Sequence, residues 1–327
     1  MKRVVLLCSA LLFLLNALIK SQAPFGIDVE RYGVVLQEGI SDWSPYYLKE
    51  VLSWGVLDLI SNLSPYLNLS GQLIFLDGVV LVAIFAACFK SGFVAYRFPF
   101  FYVTFAFILL SFNVLRQYVA LVFLVAALVA SVNKWPKRFL LWIVLAIASH
   151  NGSVLVAPAL MLVFLRDIKS SYKILLTICA AASIVLMSTN EVVLRAFETS
   201  VDALEEPFWK VVLYATLSCY MSFLVWLRHK EAVRRGLKSI QVVSNSKFSS
   251  VMLFCIGLLI MCTPFTNWII SRNWITIISL QIFLYLCMPD SGRYTKSSVR
   301  SFVFIYFLPM MLVVAFHTGA WQMAFGE

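Results

Sequence analysis

The segment Phe98–Val132 reads FPFFYVTFAFILLSFNVLRQYVALVFLVAALVASV, and Arg116 is its only charged residue. The segment is longer than the roughly 20 apolar residues that one membrane-spanning helix needs. A charged side chain at the centre of a bilayer costs about 2.5–3.5 kcal/mol even on the most lenient insertion scale. The segment therefore predicts two spans that meet at a turn near residues 111–113, with Arg116 at one face of the membrane.

Arg116 shares a helix face with other small and polar residues. Asn113, Arg116, Gln117 and Ala120 recur at spacings of three and four residues, which places them on one side of a helix. Lipid does not favour a polar face of this kind, whereas an enclosed and hydrated site does. We therefore expect a ligand or catalytic site on this face.

The composition is that of a membrane protein along the whole chain. Hydrophobic residues make up 61% of the 327 residues and charged residues only 13%, whereas soluble domains carry roughly 25% charged residues. We predict a single all-α domain over residues 1–327, a polytopic integral membrane bundle with about 10–12 transmembrane helices and at least one broken or re-entrant hairpin. The predicted apolar spans are 4–19, 72–89, 98–112, 114–132, 139–149, 153–165, 173–190, 208–227, 248–264, 269–288 and 301–318.

The charge distribution predicts the orientation of the spans. When the N-terminus is placed in the cytoplasm, most of the 26 Lys and Arg residues fall on the cytoplasmic side, as the positive-inside rule requires. The net charge of +10 then reflects topology, and no nucleic-acid partner is expected. This orientation predicts an outer loop over residues 20–71, with a helix at Tyr46–Leu59 on or within the membrane, and a basic inner loop over residues 228–247.

Two further polar interruptions fall on the outer side. The predicted hairpin over residues 139–165 consists of two short apolar runs that flank Ser149-His150-Asn151-Gly152-Ser153. Broken helices at membrane depth are tolerated only where protein or a water-filled cavity covers the backbone. Later in the chain, Pro264 breaks a helix shortly before Arg272. We expect His150 and Arg272 at the same membrane face as Arg116.

Each of these residues also has a simpler explanation. Arg116 and Arg272 could anchor helices at the lipid headgroups, and His150 could be a turn residue bonded to backbone. Anchoring does not explain why all three lie on one side, where the positive-inside rule disfavours basic residues. Two Arg side chains match the oxygens of a lipid-linked pyrophosphate, and His150 is suited to proton transfer from a sugar hydroxyl.

The same residues resemble a known family. Asn113–Ala120, NVLRQYVA, resembles the N-x-x-R-Q-x-x-A signature of EpsG-like polysaccharide polymerases, relatives of the Wzy O-antigen polymerases. Ile147–Ser153 is similar to the Ala-x-x-His-x-Ser element of that family, although the serine falls one place late. Arg272 corresponds to a late arginine of the family. The "D…Y" and "E-P-L-F" elements of the first outer loop resemble residues 28–32 and 50–54, with Val51 in place of the proline.

The resemblance implies a bacterial inner-membrane (cytoplasmic-membrane) polymerase that joins undecaprenyl-pyrophosphate-linked repeat units at the periplasmic face. It would be a metal-independent glycosyltransferase without a cofactor, and its partners would be the lipid-linked oligosaccharide, membrane lipid and a chain-length-determinant protein. The predicted catalytic residues are His150, Arg116 and Arg272. The predicted substrate-binding residues are Asn113, Gln117, Asp28, Arg31, Tyr32, Glu50 and Ser153. A lipid-linked oligosaccharide flippase or other transporter, an O-antigen ligase and a membrane O-acyltransferase remain alternatives.

Overall fold

A computed structural model describes residues 27–89, 91–94, 97, 115–165, 181–186, 207–236 and 240–289, together with isolated positions within 3–21 and 174–189. No β-strand occurs in these parts of the chain. We label the helices in chain order as α1 Ile27–Glu38, α2 Pro45–Leu48, α3 Val51–Leu63, α4 Leu69–Cys88, α5 Leu115–Val132, α6 Pro136–Ser149, α7 Ser153–Phe164, α8 Phe208–Arg234, α9 Ile240–Met261 and α10 Asn267–Cys287.

Five of these helices, α4, α5, α8, α9 and α10, are long and apolar enough to cross a membrane. The protein is an all-α polytopic membrane bundle, as the composition predicted. The five helices correspond to the predicted spans 72–89, 114–132, 208–227, 248–264 and 269–288. The predicted spans 4–19, 98–112, 173–190 and 301–318 lie wholly or in large part outside the described residues.

Helix α5 lies at the centre of the bundle. It packs against α3, α4, α6, α7, α9 and α10, and 94% of its span is buried inside the protein. The span of α10 is buried to the same degree, whereas only 28% of the α8 span is buried. The residues of α5 and α10 are therefore placed to form an internal site, whereas α8 lies further from the centre of the bundle.

Helices α8, α9 and α10 are joined by polar contacts within the apolar core. Ser218 of α8 donates to the Gln281 side-chain oxygen at 2.9 Å, and Gln281 Nε2 donates to Ser222 Oγ at 2.9 Å and to the Ser250 carbonyl at 3.1 Å. Gln281 is fully buried. Hydrogen bonds of this kind hold membrane helices together because lipid supplies no alternative partner.

The hairpin over residues 139–165 consists of two short helices, α6 and α7, of 14 and 12 residues. At 1.5 Å per residue each is shorter than the ~30 Å hydrocarbon core. The break falls at residues 150–152, as the sequence predicted. The N–H of His150 makes the last helical bond of α6, to the Ala146 carbonyl at 3.0 Å, and the extended backbone of His150 ends the helix.

Two predicted segments need correction. The helix predicted at Tyr46–Leu59 is divided into α2 and α3 by a break at residues 49–50. Helix α1 was not predicted. The segment predicted as an outer loop therefore contains packed helices. The basic inner loop predicted at residues 228–247 is helical over most of its length. Helix α8 continues past residue 228 because Arg228 lies 4.6 Å over the Tyr285 ring of α10, which extends the packing of α8 beyond its apolar part.

Gly257 permits the close approach of α9 to α10. A Cβ atom at this position would overlap the ring of Trp274, whose side chain is only 1% exposed. We expect Gly257→Ala to destabilise the protein by about 1–3 kcal/mol, because a buried Trp has little room to shift. Thermal unfolding of the purified protein in detergent micelles measures the effect.

Gly78 provides the matched control, because it lies within α4 and a Cβ there meets no atom within 4 Å. Gly78→Ala should leave the stability unchanged or raise it by up to ~1 kcal/mol, since alanine is the better helix former. Equal melting temperatures for the two variants would contradict the tight α9–α10 contact.

Candidate functional site

The candidate site is organised around Glu50, which lies at the break between α2 and α3. Its backbone (φ −138°, ψ 54°) is not helical, and this break turns the residue inward, away from the path of a continuous helix. The residue is only 3% exposed. A buried carboxylate needs charged or hydrogen-bonding partners, since an unpaired buried charge is strongly unfavourable.

Glu50 receives three donors from two distant parts of the chain. Arg116 Nη1, from the first turn of α5, forms an ion pair with Oε2. On the other oxygen, Oε1, His150 Nδ1 lies at 2.7 Å and the Asn151 backbone N–H donates at 3.1 Å. One carboxylate thus connects the α2–α3 segment, the central helix α5 and the break between α6 and α7.

The guanidinium of Arg116 is enclosed as well. Its Nε donates to the Tyr32 hydroxyl of α1 at 2.8 Å. Its Cζ lies 5.8 Å from the ring centre of Tyr32 and 5.4 Å from that of Trp54 on α3. Arg116 is 9% exposed. The cation is therefore stabilised by one carboxylate, one hydroxyl and two aromatic faces.

Glu50 is ionised at neutral pH. Burial alone would raise its pKa, but the hydrogen bond from His150, the charge of Arg116 and the Asn151 amide together hold the pKa well below its usual range. An ionised carboxylate is only an acceptor, so the Nδ1–H of His150 donates to it. In the neutral imidazole the second nitrogen, Nε2, then carries the lone pair, and the His150 side chain remains 20% exposed.

A second layer of contacts fixes the backbone around this cluster. Ser53 of α3 is fully buried, and its hydroxyl lies 2.7 Å from the Ser149 carbonyl and 3.2 Å from the Arg116 carbonyl. These two carbonyls belong to the end of α6 and the start of α5. Ser53 therefore contacts the backbones of α5 and α6 close to the place where Glu50 contacts the side chains of Arg116 and His150.

Gln117 links the cluster to α10. Its Nε2 donates to the Arg272 carbonyl at 2.7 Å and also bonds the Thr276 hydroxyl. The Arg272 guanidinium lies 3.8 Å over the ring of Trp268, one turn earlier on α10, and the residue is half-buried. The structure thus brings the second turn of α10 against the first turn of α5.

Most of the predicted site residues lie at this end of the bundle. Tyr32, Glu50, Arg116 and His150 make direct contacts, and Gln117 joins them to the backbone of Arg272 as described above. Ser153 is buried at the start of α7, and its hydroxyl has no hydrogen-bond partner within the described part of the chain. Three other predicted residues lie outside the described part of the chain. These are the side chains of Asp28 and Arg31, on α1, and the whole of Asn113.

Three contributors were missed at the sequence level, namely Ser53, Trp54 and the Asn151 backbone amide. Ser53 and Trp54 follow Glu50 by three and four residues, so they lie on the same helix face once α3 begins at residue 51. This spacing could have indicated from the sequence that Ser53 and Trp54 lie beside Glu50. The amide of Asn151 carried no such signal, because every residue except proline has a backbone N–H.

The described residues contain no group of three His, Cys, Asp or Glu side chains that could hold one metal ion. The arrangement that is present combines an ionised carboxylate, a partly exposed imidazole and two arginines on adjoining helices. Chemically, it can accept a proton at His150 Nε2 and attract an anion towards Arg272.

Comparison with known proteins gives no assignment: no protein-family model, no curated protein and no solved structure matches this chain.

The buried ion pair can be tested by a double-mutant cycle. Glu50→Gln and Arg116→Gln should each destabilise the protein by about 3–5 kcal/mol, because each leaves a buried charge without its partner. The combined variant should be less destabilised than the sum of the two by about 1–3 kcal/mol. Chemical or thermal unfolding of the four proteins in detergent gives the coupling energy.

The control pair is Glu231 and Arg235 at the C-terminal end of α8, which form an ion pair at 2.7 Å but are each more than a quarter exposed. The same cycle with glutamine at these positions should give no more than about 0.5 kcal/mol. A similar coupling energy for both pairs would mean that burial of Glu50 and Arg116 does not matter.

Proposed function

We propose that this chain is a bacterial inner-membrane polymerase that joins undecaprenyl-pyrophosphate-linked repeat units at the periplasmic face. The observation that carries the proposal is the Glu50–His150 contact beside Arg116, in a buried site at one end of a membrane bundle. The motif resemblance over Asn113–Ala120 and at His150 indicates the same chemistry. The enzyme class is a metal-independent glycosyltransferase.

His150 acts as the general base in this reaction. Its Nε2 removes the proton from the acceptor sugar hydroxyl as the hydroxyl oxygen attacks the anomeric carbon of the donor. Glu50 fixes the imidazole orientation and stabilises the imidazolium that forms, since the carboxylate stays ionised and 2.7 Å from Nδ1. A new carbon–oxygen bond forms, and the proton resides on His150 until it passes to solvent.

The leaving group is the pyrophosphate of the lipid carrier. The bond between the anomeric carbon and the phosphate oxygen breaks, so negative charge grows on the departing pyrophosphate. Arg272 stabilises that charge, with its guanidinium held in place on the Trp268 ring. Arg116 bonds Glu50 and Tyr32 through Nη1 and Nε, so it keeps Glu50 ionised and in place. Contact of Arg116 with the pyrophosphate stays a prediction.

Other residues position the substrate. The Ser153 hydroxyl and the Gln117 side-chain oxygen are buried and lack hydrogen-bond partners within the described residues, so either can receive a group of the sugar or the phosphate. Asp28, Arg31 and Asn113 stay predictions for the same role. A chain-length-determinant protein would act on the polymer that this site releases, and membrane lipid would surround the helical bundle.

The decisive experiment is glycan profiling by gel in a strain that lacks this protein, complemented with single variants. We expect His150→Gln and Glu50→Gln to reduce the glycan ladder to a core carrying one repeat unit, a loss of chain extension of at least 100-fold. Membrane abundance of each variant is measured by immunoblot in the same samples. His229→Gln is the control, because His229 lies at the far end of α8 and should leave the ladder intact.

Three other outcomes would contradict parts of the proposal. Loss of every added repeat unit in the deletion strain would point to a flippase or a ligase and overturn the polymerase proposal. A full ladder with His150→Gln would remove the histidine from the mechanism. Arg272→Lys should retain only a small part of the activity, because lysine lacks the bidentate geometry of the guanidinium, and wild-type activity there would contradict the role of Arg272.

A further inference from the structure

An open groove lies at the end of the bundle opposite the Glu50–His150 site. It runs between the end of α4 and the start of α6, and its volume is about 810 Å³, which is in the range of ligand pockets. The lining residues are Ala86, Phe89, Trp135, Pro136, Lys137 and Arg138. Both sides of the groove thus belong to helix ends, where a membrane helix meets the headgroup layer.

The groove is positively charged. Lys137 and Arg138 are exposed, and none of the lining residues is acidic. The Arg138 guanidinium lies 4.8 Å over the Trp135 ring, which limits its motion and holds the charge at the groove wall. The two cations therefore present a positive surface without a carboxylate partner among the described residues.

The neighbouring Lys134, at the same end of the bundle, has a structural role. Its Nζ donates to the Val163 and Phe164 carbonyls at 2.9 and 2.7 Å and so caps the end of α7. Lys137 and Arg138 make no such contacts with backbone carbonyls in the described structure. Their charge is available to a ligand.

The remaining wall is apolar and open to the surroundings. Phe89, after the end of α4, is 70% exposed, and Ala86 lies one turn before it. A free anion would gain nothing from these two side chains, whereas an amphiphile would bury its hydrocarbon against them and place its phosphate at Lys137 and Arg138. The pairing of a basic wall with an apolar wall is the pattern that anionic lipid headgroups recognise.

We infer that this groove binds an anionic phospholipid, with the headgroup phosphate between Lys137 and Arg138 and the upper acyl chain along Phe89. The indole of Trp135 lies at the level of the glycerol, as aromatic side chains do at membrane interfaces. The inference concerns the end of the bundle away from the proposed reaction and does not depend on it.

The test measures lipid-dependent thermal stability of the purified protein in a neutral detergent, with added phosphatidylglycerol, phosphatidylcholine or inorganic phosphate. We expect phosphatidylglycerol to raise the melting temperature of the wild type, and Lys137→Gln/Arg138→Gln to lose most of this shift, equivalent to at least a tenfold lower affinity. Phosphatidylcholine and inorganic phosphate should give little or no shift. Native mass spectrometry counts the retained lipid in the same samples.

The matched control is Lys230→Gln/Arg234→Gln. These residues are also exposed cations at the same end of the bundle, and Lys230 likewise lies over a Trp ring, 5.3 Å from Trp226, but neither lines the groove. This variant should keep the wild-type response. The charge-preserving exchange Lys137→Arg/Arg138→Lys should also keep it, which excludes misfolding as the reason for any loss.

Three results would overturn the inference. Equal shifts for the groove variant and the wild type would place the lipid elsewhere. Equal loss in the two glutamine pairs would indicate general surface charge and no defined site. A shift with inorganic phosphate as large as that with phosphatidylglycerol would identify a site for a free anion.

Discussion

The structure depends on one buried carboxylate and its three donors. Glu50 would be very unfavourable in the interior of a membrane protein without partners, and Arg116 would be equally so. Together with His150 and the Asn151 amide, they form a neutralised cluster in which each group requires the others. This mutual requirement explains why α3, α5 and the break between α6 and α7 meet at one place.

This cluster explains the helix breaks at residues 49–50 and at residue 150. If one helix ran unbroken through residues 49–50, the Glu50 side chain would point in a different direction. If one helix ran unbroken through residue 150, the Asn151 amide would bond within that helix. Each break releases a polar group that then bonds across the bundle. Ser53 adds the same kind of contact between backbones, since its hydroxyl reaches carbonyls of two other helices.

The two ends of the bundle handle positive charge differently. At the Glu50 end, Arg116 is enclosed by an acid, a hydroxyl and aromatic rings, whereas Arg272 is stacked and half-buried. At the other end, Lys134 caps a helix, while Lys137 and Arg138 remain exposed beside an apolar wall. The first arrangement suits chemistry on a bound anion, and the second suits contact with the charged surface of a lipid layer.

The sequence by itself determined that this is a helical membrane protein, that a hairpin breaks near His150 and that Arg116 lies on a polar helix face. These features follow from composition and from spacing along the chain, which are local properties. Only the tertiary structure decided that Glu50 joins Arg116 and His150, which are 66 and 100 residues away, and that Tyr46–Leu59 is divided. Such pairings depend on which helices pack together, and no local pattern in one sequence records that.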